Sequence, residues 1–274
     1  MSISGLDLHP LIYKFRDFYN DFHVPTLLNN EVYIPSVSEF NDPLDSKTPF
    51  RYKEEELTDE NIYKKCLQIA RSHYPNRKEQ EYQQMAYDNH RKGLLFDEDH
   101  LAKFDQDNYD QVCRDFGVFC TTPEYDNFLM WSYYSNSHTG FCIGYNTEVL
   151  VFSEIFGMGS NVDYRPDFPK VPLFPSEHDH HFFGLFYTKW DIWSHEKEYR
   201  FLHIYKTGKV QKIPENSVEE ILLGCKFPEN KKGQFIEQIN RSLPNTRVYQ
   251  MELIPGEFGL VKSLVFDPKL MLNF

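Results

Sequence analysis

Two carboxylates and an arginine fall at alternate positions in the segment Trp193-Ser194-His195-Glu196-Lys197-Glu198-Tyr199-Arg200. The run that follows, Phe201-Leu202-His203-Ile204, reads as a β-strand. Alternate side chains of a strand share a face, so Glu196, Glu198 and Arg200 are expected on one side and Lys197, Tyr199 and Phe201 on the other. Two carboxylates so placed repel, and they are costly to bury without partners. Their position at the head of an apolar strand therefore marks a candidate site. One chemistry open to the pair is metal-dependent phosphodiester cleavage, with Asp42 or Asp45 as further ligands. The other is stabilisation of an oxocarbenium-like centre, where a carboxylate supports positive charge on a ribose. A chemically inert reading makes them an acidic strand edge or ion partners of Arg200.

Three further groups bear on chemistry. Phe40-Asn41-Asp42-Pro43-Leu44-Asp45 reads as a tight turn held by Asx hydrogen bonds, or as a polar rim whose Asn41 and Asp42 contact a ligand or a metal. In Met130-Trp131-Ser132-Tyr133-Tyr134, Trp131 and Tyr134 stand three apart on a short helix and share a face. They read either as core or as an aromatic platform for nicotinamide or adenine. His178, Asp179, His180 and His181 resemble a metal cluster but lie in a proline-rich loop with no matching second half, so no metal is expected. A glycine-rich phosphate loop, a nucleophile elbow and a Ser/His/Asp order are all missing from the sequence.

The elements that must position these residues follow from hydrophobic spacing. Leu11 to Phe18 starts a helix or a strand, and Glu31 to Ile34 is a strand. Residues 52–115 read as helices inserted between strands: one capped by Thr58 and stopped by Pro75, a second from Glu79 to His90, and a third from Glu98 to Val112. Strands are expected at Val118 to Thr121, Phe141 to Tyr145, and Val162 to Tyr164, with a short helix from Asn127 to Ser135. Residues 166–181 read as a loop, and Phe182 to Trp190 as a short helix. Val218 to Leu223 is a strand, Gln234 to Leu243 an amphipathic helix, and strands near Val248 to Leu253 and Leu260 to Phe266 close the chain. The expected fold is a single α+β domain, 1–274, with a mixed, mainly antiparallel sheet.

Composition narrows the function classes. The chain has 274 residues, 41% of them hydrophobic, and carries a net charge of -12. The mean hydropathy is -0.58 and the pI is near 5.4. This charge argues against broad, non-specific nucleic-acid binding, which needs clustered Lys and Arg, and it suits a basic partner such as a neutralising protein. No apolar run approaches the roughly 20 residues that span a bilayer, and the N-terminus lacks a signal-peptide pattern, so the expected location is cytoplasmic without a membrane partner. Five cysteines, Cys66, Cys113, Cys120, Cys142 and Cys225, include no Cys-x-x-Cys pair, so free thiols are expected.

Taken in order, several segments resemble the bacterial family catalogued as domain of unknown function 2971. They are Ile12-Tyr13-Lys14-Phe15-Arg16, Phe40 to Asp45, Val118 to Thr122, Leu129 to Tyr134, Ser137 to Ile143, Tyr187 to Lys189, Trp193 to Arg200, and Glu219 to Gly224. A looser resemblance is to the ADP-ribosyltransferase fold, whose motif order is a first strand with Arg or His, a strand with small hydroxyl residues, and a late strand with Glu-x-Glu. That resemblance implies Arg16 or Lys14, Thr121 with Thr122, and Glu198 in those roles. NAD would be the co-substrate. Glu198 would hold the ribose 2′-hydroxyl and stabilise the cation as nicotinamide leaves, and Glu196 would orient or deprotonate the acceptor. Trp131 and Tyr134 would frame the nicotinamide, with Tyr13, Asn41, Asp42 and Arg200 also around the dinucleotide. The implied activity is that of an intracellular toxin or phage-defence effector that modifies a nucleic-acid or protein acceptor and is held in check by an antitoxin protein. A nuclease or a non-enzymatic binding module remains the alternative.

Overall fold

A computed structural model describes residues 9–176, 184, 186–204 and 207–271. In chain order its elements are β1 (Leu11–Arg16), α1 (His23–Leu28), β2 (Glu31–Ile34), α2 (Asp59–His73), α3 (Glu79–Arg91), α4 (Glu98–Asp115), β3 (Phe116–Thr121), α5 (Phe128–Tyr134) and β4 (Phe141–Asn146). There follow α6 (Thr147–Val151), β5 (Met158–Asn161), β6 (Asp163–Arg165), β7 (Thr188–Trp190), β8 (Tyr199–Ile204), β9 (Lys209–Lys212), β10 (Val218–Leu223), α7 (Glu229–Ser242), β11 (Arg247–Leu253), β12 (Leu260–Phe266) and α8 (Pro268–Met271). The chain is mixed α+β with mainly antiparallel sheets; among the described residues the parallel strand pairs are β10–β11 and β6–β7.

Two compact units emerge. The first takes Met1–Phe40, Asp115–Val162 and Asp191–Phe274, and the second takes Asn41–Arg114 and Asp163–Trp190. The helical stretch expected at 52–115 lies in the second unit up to Arg114, together with the β6–β7 pair.

In the first unit a five-stranded sheet runs β1-β4-β10-β11-β12, and a three-stranded sheet runs β3-β8-β5. Strand alternation divides the five-stranded sheet between two cores. Ile12, Phe141, Ile143, Tyr145, Ile221 and Leu223 join Phe119, Tyr199 and Phe201 of the three-stranded sheet and Phe235 and Ile239 of α7. Tyr13, Phe15, Cys142 and Leu222 turn the other way, onto Met130 and Trp131 of α5. A sheet buried on both faces reads as a continuous apolar run, which is what Ile221-Leu222-Leu223 is. Two glycines allow backbones to meet beneath it. A Cβ on Gly140 would lie 2.0 Å from the Arg16 carbonyl oxygen, and one on Gly224 would lie 2.1 Å from that of His138.

The second unit is built on α2 and α3 with α4. Thr58 caps α2 by accepting from the Asn61 N–H at 3.3 Å, as the sequence predicts. The interval Phe182 to Trp190 departs from expectation. Residues 182, 183 and 185 lie outside the described residues, Phe186 and Tyr187 are helical, and Thr188–Trp190 is a strand paired in parallel with β6. No helix among the described residues is long and apolar enough to cross a membrane.

Candidate functional site

The Glu-x-Glu segment does not enter β8 as regular strand. Asp191–Glu196 is a 3-10 helix, Lys197 takes a left-handed φ of 45°, and β8 begins only at Tyr199. A left-handed residue between two carboxylates breaks the alternation that would have aligned them. Glu196 therefore reaches its partner from a helix end, whereas Glu198 and Arg200 keep the strand relation. Tyr199 and Phe201 turn to the larger core, as alternation requires. Asn127 steadies the turn: its side chain caps α5 at the Met130 N–H (3.2 Å) and donates to the His195 carbonyl at 2.5 Å.

Both carboxylates are buried. Glu198 is 5% exposed and Arg200 fully buried. The guanidinium grips the carboxylate in a fork, with Nε donating to Oε2 at 2.8 Å and Nη2 to Oε1 at 3.0 Å. The Arg200 guanidinium also lies 5.5 Å from the centre of the Phe40 ring. Glu196 is 1% exposed, and its Oε1 accepts from the Tyr134 hydroxyl at 2.6 Å.

β1 and β3 bring further predicted residues to this region of the first unit. Lys14 donates to the Cys120 carbonyl at 2.6 Å, and its ammonium lies 4.7 Å from the Phe119 ring centre. Desolvation, and then the charge of Arg16, bring the Lys14 ammonium down to about 7, against the opposing pull of Cys120 and Glu198. Lys14 keeps a part-exposed surface, but its charged end is enclosed by packed atoms, and this enclosure governs the shift. Thr121 lies opposite Tyr199 in the β3–β8 register and donates to its carbonyl at 2.7 Å. Thr122 is fully buried; its backbone exchanges hydrogen bonds with Tyr13 at 2.7 and 3.0 Å, and its hydroxyl accepts from the Glu124 N–H.

Other predicted residues serve elsewhere. Trp131 is fully buried, with Nε1–H donating to the Tyr125 carbonyl at 2.7 Å and the Phe15 ring edge-on at 5.0 Å. A ring enclosed in this way offers no face to nicotinamide, so the core reading of Trp131 replaces the platform. The Tyr13 hydroxyl donates to Glu220 at 2.9 Å, and Lys262 pairs with the same carboxylate at 2.7 Å. Burial, and then Glu220, push the Tyr13 phenol well above its ordinary range. Tyr13 thus belongs to a buried polar network that the sequence reading missed, because Glu220 meets its partners only through the folded sheet. Arg16 lines a cavity of about 500 Å³ whose walls include none of Thr121, Tyr134, Glu196 or Glu198.

Asn41 and Asp42 belong to the second unit. Asp42 Oδ1 accepts from the Leu44 N–H at 2.9 Å, the Asx turn expected of this segment. Asp45 pairs with the buried Lys189 at 3.4 Å. His178 to His181 lie outside the described residues. Among the described residues no group of three or more His, Cys, Asp or Glu is arranged to hold a metal ion, and all five cysteines are free. The chain matches no protein-family model, no curated protein and no solved structure.

Proposed function

We propose that the chain is an NAD-dependent ADP-ribosyltransferase with Glu198 as its catalytic carboxylate. The observation that carries this reading is the pair of buried carboxylates, Glu198 forked to Arg200 and Glu196 accepting from the Tyr134 phenol. In the reaction the bond between the ribose C1′ and the nicotinamide nitrogen breaks, and nicotinamide leaves with the bonding pair. Positive charge then builds on the ribose, where a carboxylate held as an anion lowers the barrier. An acceptor nucleophile closes the new bond to C1′ and gives up a proton, for which Glu196 is the proposed base. Lys14, within electrostatic reach of Glu198, and Thr121, across the ladder from Tyr199, support the same motif order. The acceptor is a protein or a nucleic acid, and the net charge of -12 suits a basic antitoxin protein.

The nuclease alternative draws less support, because two of the carboxylates it needs face cationic side chains: Asp45 faces Lys189 and Glu198 faces Arg200. One observation favours a non-enzymatic module, namely that both Glu198 oxygens accept from Arg200. Labelled NAD incubated with protein, RNA and DNA fractions of a lysate separates the readings. Wild type is expected to label one fraction and release nicotinamide, and Glu198→Gln to lose about 100-fold or more of the rate. Transfer by Glu198→Gln at the wild-type rate sinks the assignment. Neither transfer nor nicotinamide release by wild type favours the binding module.

A further inference from the structure

The cavity of about 500 Å³ in the first unit is lined from β1, α1, β2, β4 and β9. Its volume lies in the range of small-molecule sites, about 300–1,000 Å³. Arg16 enters it with an unbalanced charge. The guanidinium makes no ion pair or side-chain hydrogen bond with any described residue, and desolvation lowers its affinity for its proton. Arg16 is part-buried, and a charge held in a cavity without a partner is relieved by an anion that fits the guanidinium fork. Glu31 lines the same cavity but forms no ion pair with Arg16; its carboxylate takes a hydrogen bond from Asn29 at 3.4 Å.

The remaining walls define the rest of a ligand. His23 Nδ1 lies 3.0 Å from the Asp17 carbonyl, which only accepts, so Nδ1 carries the hydrogen and Nε2 presents a lone pair. Burial, and then Arg16, bring His23 down to about 4, so it is neutral at pH 7 and does not compete for the anion. Tyr33 and Tyr145 supply flat apolar surface, with the Tyr33 hydroxyl engaged by Glu39 at 2.7 Å. An acidic group at Arg16, a ring between the tyrosines, and an N–H or O–H donor toward Glu31 or His23 describe one compact molecule.

We propose that this cavity binds a small organic anion, a carboxylate or phosphate ester joined to a flat ring, at a site that shares no lining residue with the Glu198–Arg200 pair. The test is titration calorimetry of the full chain with two probes, phenyl phosphate and 4-hydroxybenzoate, which separate the phosphate and carboxylate sources. One probe is expected to bind at sub-millimolar concentration, and Arg16→Met to weaken it at least tenfold. Arg16→Met is also expected to raise the apo melting temperature, because it removes the unbalanced charge. Arg16→Lys, which keeps the charge but loses the fork, is expected to fall between. Three results overturn the proposal: no binding of either probe at millimolar concentration, equal binding by wild type and Arg16→Met, or displacement of the probe by NAD, which would merge the cavity with a nucleotide site. Transfer activity is not read out, so the outcome stands whether or not the Glu198 reading holds.

Discussion

Arg200→Met is expected to be among the most damaging single substitutions in the first unit. Arg200 is fully buried and Glu198 is 5% exposed, with two hydrogen bonds of 2.8 and 3.0 Å joining them. Removing the guanidinium leaves a carboxylate enclosed without its cation, and breaking a buried pair in this way costs about 3–5 kcal/mol. An exposed pair would cost at most about 1 kcal/mol. Glu198→Leu is expected to be destabilising from the other side, because it removes both fork hydrogen bonds from the buried guanidinium. Replacing both removes the need for compensation, so the double variant is expected to be more stable than the sum of the singles predicts by about 1–3 kcal/mol. Urea denaturation followed by tryptophan emission measures this. A Trp190→Phe background leaves Trp131 and Trp193, both in the first unit, as the reporters. A loss below about 1 kcal/mol for Arg200→Met, or strict additivity in the cycle, would refute the buried-pair reasoning.

Two other substitutions probe the frame around the site. Gly140→Ala places a Cβ at 2.0 Å from the Arg16 carbonyl oxygen, and no side-chain rotation relieves a contact with backbone. It is expected to lose about 1–3 kcal/mol in the same urea assay, and a neutral result would contradict the close approach. Lys14 titrates near 7 in the folded chain but near 10.4 when unfolded. The unfolded chain therefore holds more protons between those values, and the Lys14 contribution to stability rises with pH across that window. Below 7 the cost of the buried charge is fully present. Lys14→Met is expected to flatten the stability profile from pH 7 to 10, and an unchanged slope relative to wild type would remove the burial argument.

What the sequence conveyed depended on whether a local signal reports a local cause. Thr58 and Asn127 sit one residue before their helices because their side chains satisfy the first free N–H groups, an interaction confined to one turn. Ile221-Leu222-Leu223 reads as a strand buried on both faces because each alternate residue meets a different core. Trp131 was harder to place. Its spacing from Tyr134 is the same whether the helix face meets a ligand or a sheet, and only the packing of Phe15 beneath it decides. Glu220 carries no sequence mark of its partners, since Tyr13 and Lys262 come from strands far away in the chain.

The site itself turns on Lys197. A lysine rarely takes a positive φ, and nothing in its side chain announces one. Read as strand, Glu196 and Glu198 stand side by side and repel. With Lys197 left-handed, Glu198 takes the Arg200 guanidinium fork and Glu196 takes the Tyr134 hydroxyl. The guanidinium fork brings a matching positive charge to Glu198, and the Tyr134 phenol brings a hydrogen bond to Glu196. The two side chains thereby make different contacts, and a reaction in which one carboxylate remains an anion while the other handles a proton draws on such a difference. In the transferase reading, Glu198 takes the first role and Glu196 the second. The turn at Lys197 is then the device that makes two neighbouring glutamates non-equivalent.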